Sequence, residues 1–211
     1  MDLSLARFFL ACCVLLLFQN CNEMAPSYPA SNNAPEFDEE IEALLSGMTI
    51  EDKAGQMTQF AIDVLLKRDE EGNFVEPHQI DPEKARKVLV ELRAGSILNI
   101  AAYAYSRDQW QQMISDIQQF AAEKETSIPV LYGIDAIHGV NYTAEGTLYP
   151  QQIGLAATWN PALVEKLAAM TAYEVRASNI PWTFSPVMDL GREPRWPRFW
   201  EGFGEDVLLT S

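Results

Sequence analysis

The sequence predicts an α/β fold with a parallel sheet, which we interpret as the N-terminal strands and helices of a (β/α)8 barrel. Short apolar segments alternate with helical patterns, so consecutive strands must be joined by crossover helices. Most of these segments carry apolar residues on both faces, as expected for strands that are covered by helices on both sides. A glycine-rich phosphate loop does not follow any of them, which disfavours the alternative of an open, doubly wound dinucleotide-binding sheet.

Residues 1–36 are predicted to precede the fold. Residues 1–21 contain Arg7 followed by an apolar run of about eleven residues, which is typical of an export signal and too short to span a bilayer. Cys21 resembles the lipid-attachment cysteine of bacterial lipoproteins, although Asn20 departs from the small residue usual before it; an ordinary cleaved signal is the alternative. Residues 22–36 are rich in Pro, Ser, Ala and Asn and are predicted to be a flexible linker. We therefore expect an exported protein, either periplasmic or an outer-membrane lipoprotein.

Caps and apolar periodicity place the helices of the predicted domain, residues 37–211. Four of the amphipathic segments follow a Ser, Thr, Asp or Asn, and in two cases proline occupies the first helical position. The first two predicted helices are Glu39–Leu45 and a short one after Thr49. Three longer helices follow, from Asp81 to Gly95, after Ser106 and after Asn160, and each has one apolar face that is expected to be buried. The residues of these faces are, in order of the helices, Ala85, Val88, Leu89 and Leu92; Trp110, Met113, Ile114, Ile117, Phe120 and Ala121; and Val164, Leu167, Ala168, Thr171 and Val175.

The apolar segments between these helices are the predicted strands. They are Gln56–Ile62, Ser96–Ile100, Ile128–Ile134 and Pro181–Val187, and Gln152–Thr158 is either a further strand or a partly extended loop. About 175 residues hold four or five strand–helix units, whereas a complete barrel takes about 250. We therefore expect the chain to be a truncated barrel.

Charge and cysteine content limit the possible partners and cofactors. The net charge of −15 argues against nucleic acid, because a polyanion is bound by an excess of Lys and Arg. All three cysteines lie within residues 1–21, so the predicted domain contains neither a disulfide nor a cysteine cluster for zinc. We expect neither a metal ion nor an organic cofactor.

Two polar clusters follow predicted strands. Residues 133–139 contain Asp135 and His138, and residues 189–206 contain three arginines and two tryptophans. Ligands of parallel α/β folds bind at the carboxyl ends of strands, where carboxylates, arginines and aromatic rings are suited to sugars. The alternative is structural: Asp135 caps a turn, His138 is a satisfied loop histidine, and the second cluster is a salt-bridged loop.

These clusters resemble motifs of glycoside hydrolase family 3. Residues 133–139 match Gly-x-Asp-x-x-His-Gly, and residues 192–198 match Arg-Asp/Glu-Pro-Arg-Trp-x-Arg, with Pro197 where many members have glycine. Residues 44–57 and 150–159 resemble the family's opening and linking segments. The resemblance implies the barrel domain of a retaining β-glucosidase that hydrolyses terminal non-reducing β-D-glucosyl residues of β-glucosides or short β-glucans. A β-xylosidase shares this scaffold, whereas the export signal disfavours the family's N-acetylglucosaminidase branch.

The resemblance also implies roles for single residues. Asp135 and Arg198 bind hydroxyls of the non-reducing glucose in one subsite, Arg195 and Trp196 shape the loop, and His138 holds the turn around Asp135.

The family's catalytic residues are expected elsewhere. Its Ser/Thr-Asp-Trp nucleophile motif and its sugar-binding Lys-His pair do not occur in this sequence, and its acid/base glutamate usually comes from a second domain. We therefore expect the nucleophile and the acid/base beyond Ser211, so that this chain alone is inactive. The alternative is a non-catalytic carbohydrate-binding lipoprotein or an inactive gene remnant.

Overall fold

The computed structural model describes residues 35–100, 103–126 and 128–211. Cys21 and the predicted signal lie outside the described residues, as does the predicted linker up to residue 34. The chain divides after Gly47 into two compact units. The first contains helix α1 (Pro35–Gly47), which includes the predicted helix Glu39–Leu45. The second unit, residues 48–211, contains all the other elements described below.

A parallel sheet of four strands organises residues 48–211. The strands are β1 (Gln59–Ala61), β2 (Ser96–Leu98), β3 (Leu131–Ile134) and β4 (Trp182–Thr183), and they lie side by side in that order. Leu98 of β2 lies opposite Gly133 of β3, and Gly133 lies opposite Trp182 of β4. Helices separate consecutive strands in the sequence, so each connection is a crossover. The predicted fold class, part of a (β/α)8 barrel, is confirmed.

The described residues of this unit form six α-helices, and the four that follow Thr49, Asp81, Ser106 and Asn160 begin at the predicted caps. The six helices are α2 (Ile50–Gln56), α3 (Pro82–Ala85, continued as a π-helix over Arg86–Glu91), α4 (Arg107–Ala121), α5 (Gln152–Ala156), α6 (Pro161–Ala177) and α7 (Val207–Thr210). Thr49 and Ser106 each form a reciprocal capping box with the residue three positions later. Asp81 and Asn160 accept hydrogen bonds from the first turns of α3 and α6.

The core of the unit lies between the sheet and its helices. Helix α4 buries one face, as predicted, through Trp110, Met113, Ile114, Ile117 and Ala121. The strand side chains of Ile97, Tyr132 and Ile134 are fully buried. Burial of each such side chain contributes roughly 1.5–3 kcal/mol. This packing fixes the strands and therefore the positions of the residues that follow them.

A close backbone contact joins the start of β2 to the end of α2. The Gly95 N–H donates to the Gly55 carbonyl oxygen at 2.9 Å. A Cβ on Gly95 would lie 2.1 Å from the Gln56 carbonyl oxygen, so only glycine fits.

Two sequence predictions were wrong in type. Gln152–Thr158 is neither strand nor extended loop, because Gln152 begins helix α5 and, with Leu155 three residues later, is buried at helical spacing. Leu92 is 47% exposed instead of buried. The π-helical turns preceding it close i to i+5 bonds, such as Leu92 N–H to the Lys87 carbonyl, and so rotate Leu92 off the apolar stripe.

Other predictions were wrong in extent. Gln56 ends α2 instead of beginning β1. The strand predicted over Pro181–Val187 is only two residues long, because Pro186 has no N–H to donate to a longer ladder with β3. Of the predicted stripe on α6, Thr171 and Val175 are buried, whereas Ala168 is exposed. The first half of α6 instead lines a cavity of about 320 Å³.

Candidate functional site

A hollow lies at the carboxyl ends of the strands, and we call it the strand-end hollow. Its volume is about 400 Å³. Asp135 directly follows β3, and Asp189 and Arg198 lie on the segment after β4. The hollow is lined by Gln59, Leu98, Asp135, Phe184, Pro186, Val187, Met188, Asp189 and Arg198.

The alternation of side chains along the strands puts Asp135 on the face of the sheet that lines the hollow. Tyr132 and Ile134 point into the buried core, so Gly133 and Asp135 point the other way. A Cβ at position 133 would lie 2.3 Å from the Phe184 ring, which explains why this face carries a glycine just before Asp135.

Asn99, which the sequence analysis did not identify, holds Asp135 in place. Its Nδ2 donates to Asp135 Oδ2 at 2.7 Å, and its Oδ1 accepts from the Asp135 backbone N–H at 2.9 Å. Asn99 follows β2 directly and has a left-handed backbone, with φ of +48°. Asparagine is depleted in strands, so its presence within the apolar segment Ser96–Ile100 was the signal that could have identified it.

Glu201 holds the guanidinium of Arg198. Glu201 Oε2 accepts from Arg198 Nε at 2.9 Å and from Arg198 Nη2 at 2.6 Å. These bonds raise the pKa of Arg198, and the carboxylates of Asp135 and Asp189 add to the effect. The side chain of Glu201 is 13% exposed, whereas that of Arg198 is 53% exposed, so the carboxylate is the fixed partner of the pair.

The segment that carries Arg198 folds back on itself. The Gly191 N–H donates to the Gly204 carbonyl oxygen at 2.9 Å. Gly202 approaches the Asp189 carbonyl so closely that a Cβ would lie 2.8 Å from the oxygen. These contacts close the loop over residues 189–204 and bring Arg198 to the hollow.

The other predicted residues are not among those that line the strand-end hollow. His138 lines the 320 Å³ cavity, and its Nδ1 lies 3.0 Å from the Tyr149 carbonyl oxygen. Because a carbonyl only accepts, this nitrogen carries the proton. Arg195 is 88% exposed and pairs with Glu193 through two bonds of 2.8 Å, which lower the pKa of Glu193 to about 2. Trp196 is partly buried on the same loop.

The hollow combines acceptors and donors suited to neutral polyols. The carboxylate of Asp135 accepts hydrogen bonds, and the guanidinium of Arg198 donates them. Such a set can bind several hydroxyls of one sugar ring.

Within residues 35–100, 103–126 and 128–211, no group of three His, Cys, Asp or Glu residues is arranged to hold a metal ion. In the same part of the chain, every helix is too short or too polar to cross a bilayer.

Comparison with known proteins decides the family. The profile described as "Glycosyl hydrolase family 3 N terminal domain" matches residues 49–211. The chain belongs to glycosyl hydrolase family 3. Among relatives in this family, a protein of Dictyostelium discoideum named "Lysosomal beta glucosidase" is 35% identical over 179 residues, which is 81% of this chain and 21% of the relative. A Dickeya chrysanthemi protein named "Periplasmic beta-glucosidase/beta-xylosidase" is 30% identical, over 80% of this chain and 26% of the relative.

Solved structures of the family show the same fold. The exo-1,3/1,4-beta-glucanase of a Pseudoalteromonas species superposes with a TM-score of 0.67 and 30% identity, over 83% of this chain and 20% of that one. The chain therefore spans about a fifth to a quarter of the length of these family members.

Proposed function

We propose that this chain supplies the glucose-binding part of the active site of a retaining, exo-acting β-glucosidase, which removes terminal β-D-glucosyl residues. The observation that supports the proposal is that Asp135 and Arg198 line one hollow at the strand ends. Membership of a family whose relatives are named as β-glucosidases agrees with it. The nucleophile and the acid/base are not assigned to any described residue.

In this proposal the Asp135 carboxylate and the Arg198 guanidinium hold the sugar ring in the position required for cleavage. Asp135 accepts from glucose hydroxyls and Arg198 donates to them. Each hydrogen bond to a charged group contributes roughly 1.5–3 kcal/mol. The rate increases to the extent that these bonds strengthen as the ring distorts toward the transition state.

The test is the loss of kcat/KM on an aryl β-D-glucoside in the protein expressed from its complete reading frame. Asp135→Ala and Arg198→Ala should each lower kcat/KM by roughly 10- to 100-fold.

Each variant has a matched control outside the hollow. Asp116 accepts a 2.7 Å bond from the Gln112 amide, as Asp135 does from an asparagine. Arg86 is 54% exposed and pairs with Glu123, much as Arg198 pairs with its glutamate. Asp116→Ala and Arg86→Ala should leave kcat/KM within about twofold of the wild type, because neither side chain reaches the hollow. Unchanged activity in both hollow variants, or equal losses in the controls, would contradict the proposal.

A β-xylosidase is the second candidate, favoured by the name of the Dickeya relative, which includes both activities. Xylose is glucose without the hydroxymethyl group. The same enzyme preparation should therefore be assayed on matched aryl β-D-glucoside and β-D-xyloside, and a higher kcat/KM on the xyloside would select the second candidate.

We further propose that the protein is exported and anchored through a lipid on Cys21. The apolar run before Cys21 and the periplasmic location in the Dickeya relative's name support export. Cell fractionation should place the wild type in the membrane fraction of the envelope and a Cys21→Ser variant outside that fraction. A wild-type protein that remains soluble in the periplasm would contradict the anchor but not the export.

A further inference from the structure

Both polar atoms of the Asn99 side chain form hydrogen bonds with the same residue, Asp135. The amide can bind in only one orientation, because Oδ1 faces a backbone N–H and Nδ2 faces a carboxylate oxygen. Reversing the amide would oppose donor to donor and acceptor to acceptor. The bonds therefore fix both the backbone and the carboxylate plane of Asp135, and they leave its Oδ1 for other partners.

The backbone of Asn99 is itself anchored to β3. Its N–H donates to the Gly133 carbonyl oxygen at 2.9 Å, and its carbonyl oxygen accepts from the hydroxyl of Tyr132. Tyr132 is fully buried in the core. Asn99 thus connects the rigid core to the carboxylate at the hollow through bonds at each step.

We propose that Asn99 is the positioning residue that orients the Asp135 carboxylate toward the sugar, an inference that rests on the proposed function of Asp135. A structural alternative exists for the same residue. Asparagine tolerates a left-handed backbone better than most residues, so Asn99 could serve only the turn after β2.

Asn179 separates these two roles. It also has a left-handed backbone, with φ of +65°, but it is exposed at the end of α6. Glycine relieves the backbone strain at either position while it removes the side chain. Asn99→Gly and Asn179→Gly are therefore a matched pair in which only the first removes contacts to Asp135.

The experiment is a double-mutant cycle on kcat/KM for an aryl β-D-glucoside, again in the protein from its complete reading frame. Asn99→Gly should lower kcat/KM roughly tenfold or more, from lost bonds to a charged group. Once Asp135 is changed to Ala, adding Asn99→Gly should cause little further loss, because Asn99 acts through Asp135. Asn179→Gly should stay within about twofold of the wild type, since it removes no contact to the site.

Asn99→Asp provides a second variant of the same shape. It keeps an acceptor for the Asp135 N–H but puts a negative charge against the carboxylate in place of the donor. It should lower kcat/KM at least as much as Asn99→Gly, and it covers the case in which the glycine variant does not fold.

The outcomes separate the inference from the function on which it rests. If Asp135→Ala lowers kcat/KM but Asn99→Gly and Asn99→Asp do not, the positioning role is wrong and the proposed function stands. If the losses of Asn99→Gly and Asp135→Ala multiply, Asn99 acts independently of Asp135 and the inference is also wrong. If Asp135→Ala itself has no effect, the role that the proposed function gives to Asp135 is wrong, and the positioning role of Asn99 is wrong with it.

Discussion

Replacing Glu201 with glutamine tests whether the position of Arg198 matters for activity. The variant has nearly the same shape, and its amide oxygen can still accept from the guanidinium. It removes the negative charge of the acceptor and so weakens the two bonds of 2.9 and 2.6 Å, to which the guanidinium still brings its positive charge.

The expected magnitude follows from the geometry. Two unit charges about 4 Å apart attract by about 4 kcal/mol at an effective dielectric constant of about 20, and the bonds that the amide keeps with the charged guanidinium retain about half of this, so about 2 kcal/mol is lost. The side chain of Arg198 is 53% exposed, and screening by solvent reduces this by about half. About 1 kcal/mol remains, which corresponds to roughly a fivefold loss in kcat/KM if substrate requires Arg198 in place.

The assay is kcat/KM on an aryl β-D-glucoside, with Glu193→Gln as the control. Glu193 binds Arg195 through two bonds of 2.8 Å on the same loop, but Arg195 is 88% exposed and is not among the residues that line the strand-end hollow. Glu193→Gln should change kcat/KM by less than about twofold, because exposed ion pairs contribute little. Full kcat/KM in Glu201→Gln, or equal losses of activity in both variants, would show that the ion pair does not hold Arg198 for substrate.

Two further predictions concern stability, measured by urea unfolding. Gly95→Ala forces a Cβ to within 2.1 Å of the Gln56 carbonyl oxygen and should lower the free energy of unfolding by at least about 1–3 kcal/mol, the usual cost of overpacking. The control is Gly154→Ala in helix α5, where the nearest neighbour of the added Cβ lies at 3.5 Å, and it should be neutral or stabilising by about 0.5–1 kcal/mol. Equal effects of the two substitutions would contradict this prediction. Hydrogen bonds from Thr49 lower the pKa of Asp52 in the folded protein. The ionised Asp52 carboxylate therefore stabilises the fold at pH values above the ordinary carboxyl pKa, and this stabilisation is lost as the pH falls through the lowered pKa. The stability difference between wild type and Asp52→Asn should therefore be larger at about pH 6 than at about pH 2, and a difference that does not change with pH would contradict it.

Local signals predicted the elements that depend on local bonds. The caps at Thr49, Asp81, Ser106 and Asn160 all form as the sequence indicates, because each cap and its partners lie within a few residues. The buried face of α4 was also predicted, since its apolar spacing is regular over the whole helix.

Departures from regular helical geometry, and contacts between segments distant in sequence, were not predictable. Leu92 follows the helical stripe in sequence, but the π-helical turns before it move its side chain out of the core. The predicted strands were too long, because β-ladders end where neighbours diverge, which a single segment does not encode. Asn99 gained its role only when the pairing of Leu98 with Gly133 brought the ends of β2 and β3 together.

In the candidate site, too, some residues could be predicted from the sequence and others only from the folded structure. Asp135 and Arg198 were identified from motifs, and the structure places both at the strand-end hollow, while their role in sugar binding stays a prediction. The residues that hold them, Asn99 and Glu201, follow only from the folded geometry.

The most direct test of the central claim is a crystal structure of the protein from its complete reading frame with bound glucose. We expect one pyranose ring in the strand-end hollow, with hydroxyl oxygens about 3 Å from both the Asp135 carboxylate and the Arg198 guanidinium. Glucose bound at another place, or in contact with neither side chain, would contradict it.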